Sequence, residues 1–285
     1  WLELSTPAGR AYELSTLIGD AGTSSSFILG DGGQVSVAQV PLQFWFCRNP
    51  GLALPLIALQ YHEVKIKFQW QGTGQSNFDV LCDYIYLDTD ERRRFAQVSH
   101  EYLIEQVQEQ TESMNKDAAS VNLRLNFNHP VKELIWTIGG SNSSGFLGKI
   151  APVDHNVKLQ LNGHDRFSEQ KQEYFGLRQT FDYHSAVPGP NLPQRAEGVY
   201  YYDQVDGGQR TGNVIDTCVS PIYVYSFALK PEEHQPSGTC NFSRIDNAKL
   251  IISKAPNSDS QCKIFAVNYN VLRIMSGMGG LAYSN

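Results

Sequence analysis

Apolar and polar residues alternate along much of the chain. The alternation is strict in residues 121–127 and 157–161, where every second residue is Val, Leu or Phe and the residues between them are polar. The same pattern occurs in 64–70 and, with more aromatic residues, in 223–229. Because successive side chains of a strand point to opposite faces of its sheet, these stretches are predicted to be strands with one face in a core.

Further strands are predicted where Val, Ile, Leu and aromatic residues are dense, since these residues favour sheets. The denser stretches are 42–46, 78–87, 134–138, 248–253 and 264–274. Helical signals are few. Residues 50–59 begin with a proline, which suits a first helical turn, and 88–96 begin with acidic residues and end in arginines and Phe95. Both are predicted to be short helical connectors in an all-β protein.

The chain repeats itself weakly at an offset of about 180 residues, as two copies of one β-domain would. Residues 40–46, 63–70 and 78–87 correspond in order and spacing to 221–229, 248–253 and 262–274. We therefore predict that 1–97 are the C-terminal part of a first domain, 98–118 an interdomain linker and 119–285 a second domain. The chain begins with Trp1 and the first copy lacks early strands, so an N-terminal portion is expected to be missing.

Composition and charge narrow the function classes. Hydrophobic residues make up 41% of the chain and charged residues 18%, with a net charge of -6, which is typical of a packed globular protein. The longest basic run is 92–94, so direct binding of nucleic acid is not expected. No stretch has the roughly 18 apolar residues of a membrane helix, so no membrane insertion is expected. The five cysteines are widely spaced and lie mostly in apolar runs, which predicts buried thiols.

Motifs for catalysis are absent from the sequence. It contains no phosphate-binding GKS or GKT loop, no G-x-S-x-G elbow and no H-E-x-x-H helix. The seven histidines do not pair at the spacing of metal ligands, and there is no C-x-x-C. We therefore predict that the protein is not an enzyme and has no cofactor, no metal and no catalytic residue.

Two long connections are candidate contact surfaces. Residues 185–216 are rich in Pro and Gly around the aromatic cluster Tyr200, Tyr201 and Tyr202, and 231–238 form a second loop. Loops of such length are usually functional. Asn142 and Asn241 each stand in an N-x-S pattern and are candidate glycosylation sites, Asn142 being the better one because it lies in a Gly/Ser-rich turn.

The run DTDERRR is the most unusual charge cluster. Its six charged members, the candidate contact residues, are Asp88, Asp90, Glu91, Arg92, Arg93 and Arg94. One interpretation is a solvated helix with local ion pairs that contribute little. The alternative is a clamp between domains or subunits, because arginine pairs well with carboxylates in a bidentate geometry.

Long segments of the chain closely resemble the major capsid proteins of nucleocytoplasmic large DNA viruses. The resemblance is carried by VPLQFWFCRNPGLALPLIALQYHEVKIKF, CDYIYLDTDERRRFAQVSHEYLIEQVQ, YSFALKPEEHQPSGTCNFSRID and FAVNYNVLRIMSGMGGLAYSN. It implies a tandem double jelly roll, two antiparallel β-sandwiches of which the first is N-terminally truncated here. It also implies homotrimeric, pseudo-hexagonal capsomers that tile an icosahedral shell, with neighbouring capsomers and minor capsid proteins as partners.

The resemblance further places the protein in the virion shell, assembled in the host cytoplasm. The resemblance implies that 185–216 and 231–238 are outward-facing tower loops, and that Tyr200, Tyr201 and Tyr202 lie in the first of them. It also implies that glycans are candidate partners. Other interpretations stay open. Jelly rolls also occur in attachment and carbohydrate-binding domains, and the aromatic loop suits stacking on sugar rings. A scaffold or minor capsid protein would have the same fold, and an enzyme of the cupin type would need convergent ligands that the strands do not offer.

Overall fold

The structure is a computed structural model, and it describes residues 1–7, 10, 14, 17, 39–68, 78–115, 117–140, 155–186, 222–253 and 260–283. Within these ranges most regular structure is β. The strands are β1 (His100–Met114), β2 (Ser120–Leu125), β3 (Pro130–Gly140), β4 (Asn156–Leu161), β5 (His164–Asp165), β6 (Gln170–Lys171), β7 (Tyr223–Ser226), β8 (Cys240–Asn241), β9 (Ala248–Ser253), β10 (Ser260–Met275) and β11 (Met278–Leu281). The α-helices are α1 (Leu2–Ser5), α2 (Thr89–Gln97) and α3 (Gln179–Tyr183).

Two compact units are recognised in the chain. The first comprises 1–43 and 106–269, and the second comprises 44–105 and 270–285. The first unit contains a β-sandwich. The first sheet of the structure has the strand order β1-β10-β3-β7, with β8 on β3 and β11 on β10, and the second has the order β2-β9-β4-β5, with β6 on β4. The pairs with a resolved register are antiparallel, for example Ile264 opposite Trp136 and Leu123 opposite Leu250.

The core of the first unit lies between the two sheets. Leu134 and Trp136 enter it from β3, and Leu159 and Leu250 enter it from β4 and β9. All four are at most 1% exposed. In β9 buried residues alternate with half-buried ones. The predicted strands at 134–138, 157–161, 248–253 and 264–274 are thus confirmed, that at 121–127 is confirmed as far as Leu125, and that at 223–229 as far as Ser226.

Glutamine side chains of β1 cover the backbone of β2 and of the residues that follow it, at the end of the second sheet. The Gln110 amide donates to the Arg124 carbonyl at 2.5 Å and its oxygen accepts the Asn126 N–H at 3.0 Å. Gln108 accepts the Asn128 N–H at 2.9 Å in the same way. These side chains take the place of a neighbouring strand along an edge that would otherwise be open to other chains.

Replacing Gln110 with alanine is therefore expected to expose the 124–128 backbone. The variant should lose about 1 kcal/mol of stability, the net value of an ordinary hydrogen bond, and the Asn126 amide should exchange faster with deuterium. Thr111→Ala is the control, because the Thr111 hydroxyl donates to the exposed Glu109 carboxylate at 3.5 Å and not to the 124–128 backbone. Equal exchange at Asn126 in both variants would contradict the bridging role.

The second unit has less regular structure. Residues 50–59 form two short 3-10 helices, Pro50–Leu52 and Leu56–Ala58, rather than one α-helix. Asn49 caps the first, its side chain accepting the Gly51 N–H at 2.9 Å. The hairpin of β10 and β11 turns at Ser276 and Gly277, both with positive φ. The prediction of a helical connector at 50–59 is confirmed, but the helices are of the 3-10 type.

Three predicted strands of the second unit are wrong in this structure. Residues 42–46 run into a turn in which the Cys47 N–H donates to the Phe44 carbonyl at 2.9 Å. Residues 63–68 and 78–87 are described but form no strand. Alternation favours an extended backbone, but a strand also requires a hydrogen-bonded neighbour, and the pattern carries no information on whether one is present.

Residues 98–118, predicted as a linker, contain the whole of β1. The polar stretch from Thr111 continues as strand to Met114, whose side chain is 2% exposed. Many polar residues of this stretch point away from the core. A polar strand face and a linker have similar compositions, so composition does not distinguish them. The division into two domains stays a prediction.

The prediction of buried thiols is correct for Cys262 and only partly correct otherwise. Cys262 is fully buried and Cys240 is half-buried, whereas Cys47 and Cys82 are exposed. Burial raises the pKa of the Cys262 thiol to about 12. Cys47 and Cys82 lie in the second unit, where the predicted strands that would have buried them are not formed. Cys218 lies outside the described residues.

Candidate assembly surfaces

The helix α2 carries the charged run that the sequence singled out. It begins after Asp88, whose side chain accepts the Glu91 N–H at 2.9 Å. Acidic residues occupy its first turn and Arg94 its last, the arrangement that the helix dipole favours. Phe95 stacks on the His100 ring at 5.2 Å, and a nitrogen of that ring lies 2.8 Å from the Phe95 carbonyl. The predicted helix at 88–96 is confirmed.

The six candidate contact residues of this helix are all exposed. Arg93 and Asp90 form an ion pair of 3.8 Å with exposed fractions of 74% and 93%, a weak interaction in water. Arg92 and Arg94 form no ion pair with another described residue. The clamp between domains or subunits stays a prediction.

A second surface in this unit is apolar. Exposed large hydrophobic side chains are concentrated along 64–68 and 78–86: Val64, Ile66, Phe68, Phe78, Val80, Leu81, Tyr84, Ile85 and Tyr86. The exposed fraction reaches 89% for Leu81 and 92% for Tyr86. Concentrations of exposed apolar side chains on a soluble domain mark surfaces that other protein segments cover. We call these residues the apolar surface.

The loop predicted to face outward at 231–238 is attached to the first unit by Glu232. The Glu232 carboxylate accepts the Ser185 N–H at 2.8 Å, binds the Ser185 hydroxyl, and lies 3.1 Å from Nδ1 of His184. On its other side His184 meets Glu133, with Nε2 3.0 Å from Oε2, without the alignment of a good hydrogen bond. The side chains of His184 and Glu133 are completely buried.

The two carboxylates determine the charge of His184. Burial alone lowers the pKa of the imidazole, but the close contacts and negative charges of Glu133 and Glu232 outweigh it and raise the pKa to about 9. For Glu232, burial acts to raise the pKa, but the contacts with His184 and Ser185 prevail and the pKa is lowered. The imidazole is therefore a buried cation at neutral pH.

Sequence reasoning missed this cluster. Its three charged residues are 48 to 99 positions apart in the chain, so no local motif connects them, and only the folded sandwich brings them together. The sequence contains one signal for it: Glu133 places a charge directly before the apolar residues Leu134–Ile138 of β3, at a position that is fully buried in the structure.

The other candidates are distributed as follows. Tyr200, Tyr201, Tyr202 and Asn142 lie outside the described residues. Asn241 is exposed, and its side chain accepts the Ser243 N–H at 3.1 Å. The Ser243 hydroxyl in turn accepts the His129 N–H at 2.8 Å. The N-x-S pattern at Asn241 is thus accessible, and its glycosylation stays a prediction.

No helix among the described residues is long and apolar enough to cross a bilayer. In the same part of the chain, no three His, Cys, Asp or Glu side chains come together in a way that would hold a metal ion.

Two family models match the chain. The model described as large eukaryotic DNA virus major capsid protein matches residues 91–202 and 192–280. The model described as major capsid protein N-terminus matches residues 30–88. The two matches thus include both α2 and the apolar surface.

Known relatives agree with these matches. The major capsid protein of Pyramimonas orientalis virus is 50% identical over 296 residues, which cover 100% of this chain and 71% of that protein. The major capsid protein of Paramecium bursaria Chlorella virus 1 is 39% identical over 320 residues, covering 86% of this chain and 66% of that protein. This chain therefore spans about two thirds of the length of such relatives.

Solved structures show the same likeness. The crystal structure of PBCV-1 VP54, fitted into a cryo-EM reconstruction of the virophage Sputnik, is 35% identical with a TM-score of 0.62. The likeness covers 86% of this chain and 70% of that one. A chain of the quasi-atomic model of the PBCV-1 virus capsid is similar to the same degree, with a TM-score of 0.61.

Proposed function

Since this chain belongs to the family of large eukaryotic DNA virus major capsid proteins and is a structural component of the capsid, we propose that three copies form a pseudo-hexagonal capsomer that tiles an icosahedral shell. The observation that carries the proposal is the 50% identity to a major capsid protein along the whole chain. The likeness to the PBCV-1 capsid protein confirms the predicted double jelly-roll class.

The physical features of the chain suit such a role. A sandwich of antiparallel sheets is stiff, and the covered edge of β2 discourages uncontrolled edge-to-edge association. The apolar surface is too hydrophobic to remain in water in the assembled protein, so we expect other protein segments to cover it. A closed ring of subunits requires complementary patches of this kind.

The finer parts of the proposal rest on the family. Residues 1–97 are proposed to belong to the first jelly roll and 119–285 to the second, and the match of 30–88 to the N-terminal family model supports the first of these. Neighbouring capsomers and minor capsid proteins are the proposed partners, assembly is proposed to occur in the host cytoplasm, and no enzymatic activity is proposed. The loops at 185–216 and 231–238 are proposed to face outward.

We expect charge reversal on α2 to weaken the trimer. The variant carrying Arg93→Glu and Arg94→Glu keeps the helix exposed and folded but replaces two cations with anions at the proposed contact. Because like charges across a contact repel and buried charges need partners, the trimer fraction in native mass spectrometry should fall at least tenfold at equal subunit concentration.

The matched control reverses two exposed cations of the first unit, Lys171→Glu and Arg178→Glu. Arg178 is 66% exposed and forms an ion pair of the same surface kind, with Asp182 at 2.7 Å. The control is expected to form trimers as the unmodified protein does. An unchanged trimer mass in the α2 variant would reject the proposed contact.

A further inference from the structure

The cluster of His184, Glu133, Glu232 and Ser185 joins separate parts of the first unit. Glu133 belongs to β3, in the middle of a sheet, and Glu232 belongs to the loop between Leu229 and Gly238. His184 follows α3 directly and is its C-cap residue. Two residues later, the Ala186 N–H donates to the Leu4 carbonyl at 2.9 Å, which ties α1 to the same segment.

The loop 229–238 is fixed at its base and at Glu232. At its base the N–H groups of Phe227 and Ala228 donate to the Lys132 carbonyl at 2.9 and 3.2 Å. Within the loop the Lys230 N–H donates to the Ser237 hydroxyl at 2.9 Å, and the Lys230 ammonium pairs with Glu233 at 2.9 Å. Glu232 connects the outer part of the loop to the segment after α3.

We propose that these four residues form a latch that holds the loop 229–238 against the sandwich, and that the latch opens when His184 loses its proton. With the proton present, one buried cation lies between two carboxylates. Without it, Glu133 and Glu232 are two negative charges on either side of a neutral ring, and neither is compensated there. The latch acts within one subunit and does not depend on the proposed capsomer.

The charged groups around His184 on every side are few. Glu133 faces it from β3 and Glu232 from the loop, while the Trp1 ring meets it edge-on at 6.2 Å. Lys132, next to Glu133 in β3, adds a positive charge, and its ammonium lies above the rings of Trp1 and Tyr269 at 5.2 and 5.5 Å. Lys132 is fully buried beside Glu133, so the neighbourhood is close to neutral only with His184 protonated.

The direction of the pH dependence follows from the two shifts. The pKa of His184 is raised to about 9 in the folded protein from 6.5, so its contribution is complete below pH 6.5 and is lost as the pH rises through 9. The pKa of Glu232 is lowered from 4.5, so its contribution is present above that value and is lost in more acidic solution. The latch is therefore closed around neutral pH.

Hydrogen–deuterium exchange of the unmodified protein tests the latch. Peptides from 229–238 are followed at pH 7 and pH 10, with each rate divided by the intrinsic rate at that pH. Because the opened loop returns His184 to its ordinary pKa, the opening equilibrium is expected to rise on the order of 50-fold between the two values. Peptides from β3 should keep their protection, which distinguishes loop release from unfolding.

Two variants and a control complete the experiment. At pH 7, His184→Gln and Glu232→Gln should each raise the deuterium exchange rate of the loop at least tenfold. Both should also abolish most of the pH dependence of that rate, and β3 should stay protected in Glu232→Gln. The control is His164→Gln, at an exposed position of β5, and it should behave as the unmodified protein does. Loop exchange that is independent of pH, or that is equal in Glu232→Gln and the unmodified protein, would overturn the latch.

Discussion

Replacing Trp136 with alanine is expected to lower the free energy of unfolding by about 3 to 5 kcal/mol, the usual cost of truncating a buried aromatic residue. Trp136 is 0% exposed and lies at the centre of the sandwich core. Its ring centroid is 5.1 Å from that of Phe175 and 6.0 Å from that of Tyr223. The truncation removes these contacts and leaves a cavity between two sheets that cannot close on it.

Urea denaturation followed by circular dichroism measures this loss. Phe181→Ala is the matched control, because Phe181 is also aromatic but is 74% exposed. It should change the stability by no more than about 0.5 kcal/mol. If the two variants unfold at the same urea concentration, the placement of Trp136 in the core is incorrect.

The second large effect is expected at the turn between β10 and β11. Gly277 has a φ of +79°, next to Ser276 at +53°, as a two-residue hairpin turn of this hand requires. A Cβ on Gly277 would lie 2.9 Å from Cε2 of the Tyr61 ring and closer still to Cδ2. Gly277→Ala therefore combines an unfavourable backbone conformation with a steric clash, and we expect it to cost about 2 to 3 kcal/mol.

The hairpin itself provides the control for this substitution. Gly280 lies in β11 with no atom within 4 Å of an added Cβ, so Gly280→Ala should be close to neutral. Adding Tyr61→Ala to Gly277→Ala should recover the steric part of the loss and leave the backbone part. The same loss in both glycine variants, or no recovery in the double variant, would show that Tyr61 does not lie over the turn.

The sequence predicted the sandwich of the first unit well because alternation and burial agree there. In β9 and β4 every second side chain is buried by the opposite sheet, so the pattern in the sequence has a direct physical cause. The helix α2 was equally predictable, since Asp88 caps it and its charges follow the helix dipole.

Elsewhere the sequence pattern was insufficient. Residues 64–68 alternate as regularly as 157–161, but no described strand lies beside them, and pairing depends on distant parts of a chain. The end of β1 has the composition of a linker, and only its place beside β10 makes it a strand. The His184 cluster combines residues from three separate segments, so it could be found only after the fold was known.

The central claim is that this chain is part of a rigid capsid tile that assembles as trimers. Electron microscopy of the purified full-length protein tests it most directly. The account predicts particles of uniform size with a pseudo-hexagonal outline and threefold symmetry. Monomers that stay dispersed at high concentration, or rings of another symmetry, would contradict it.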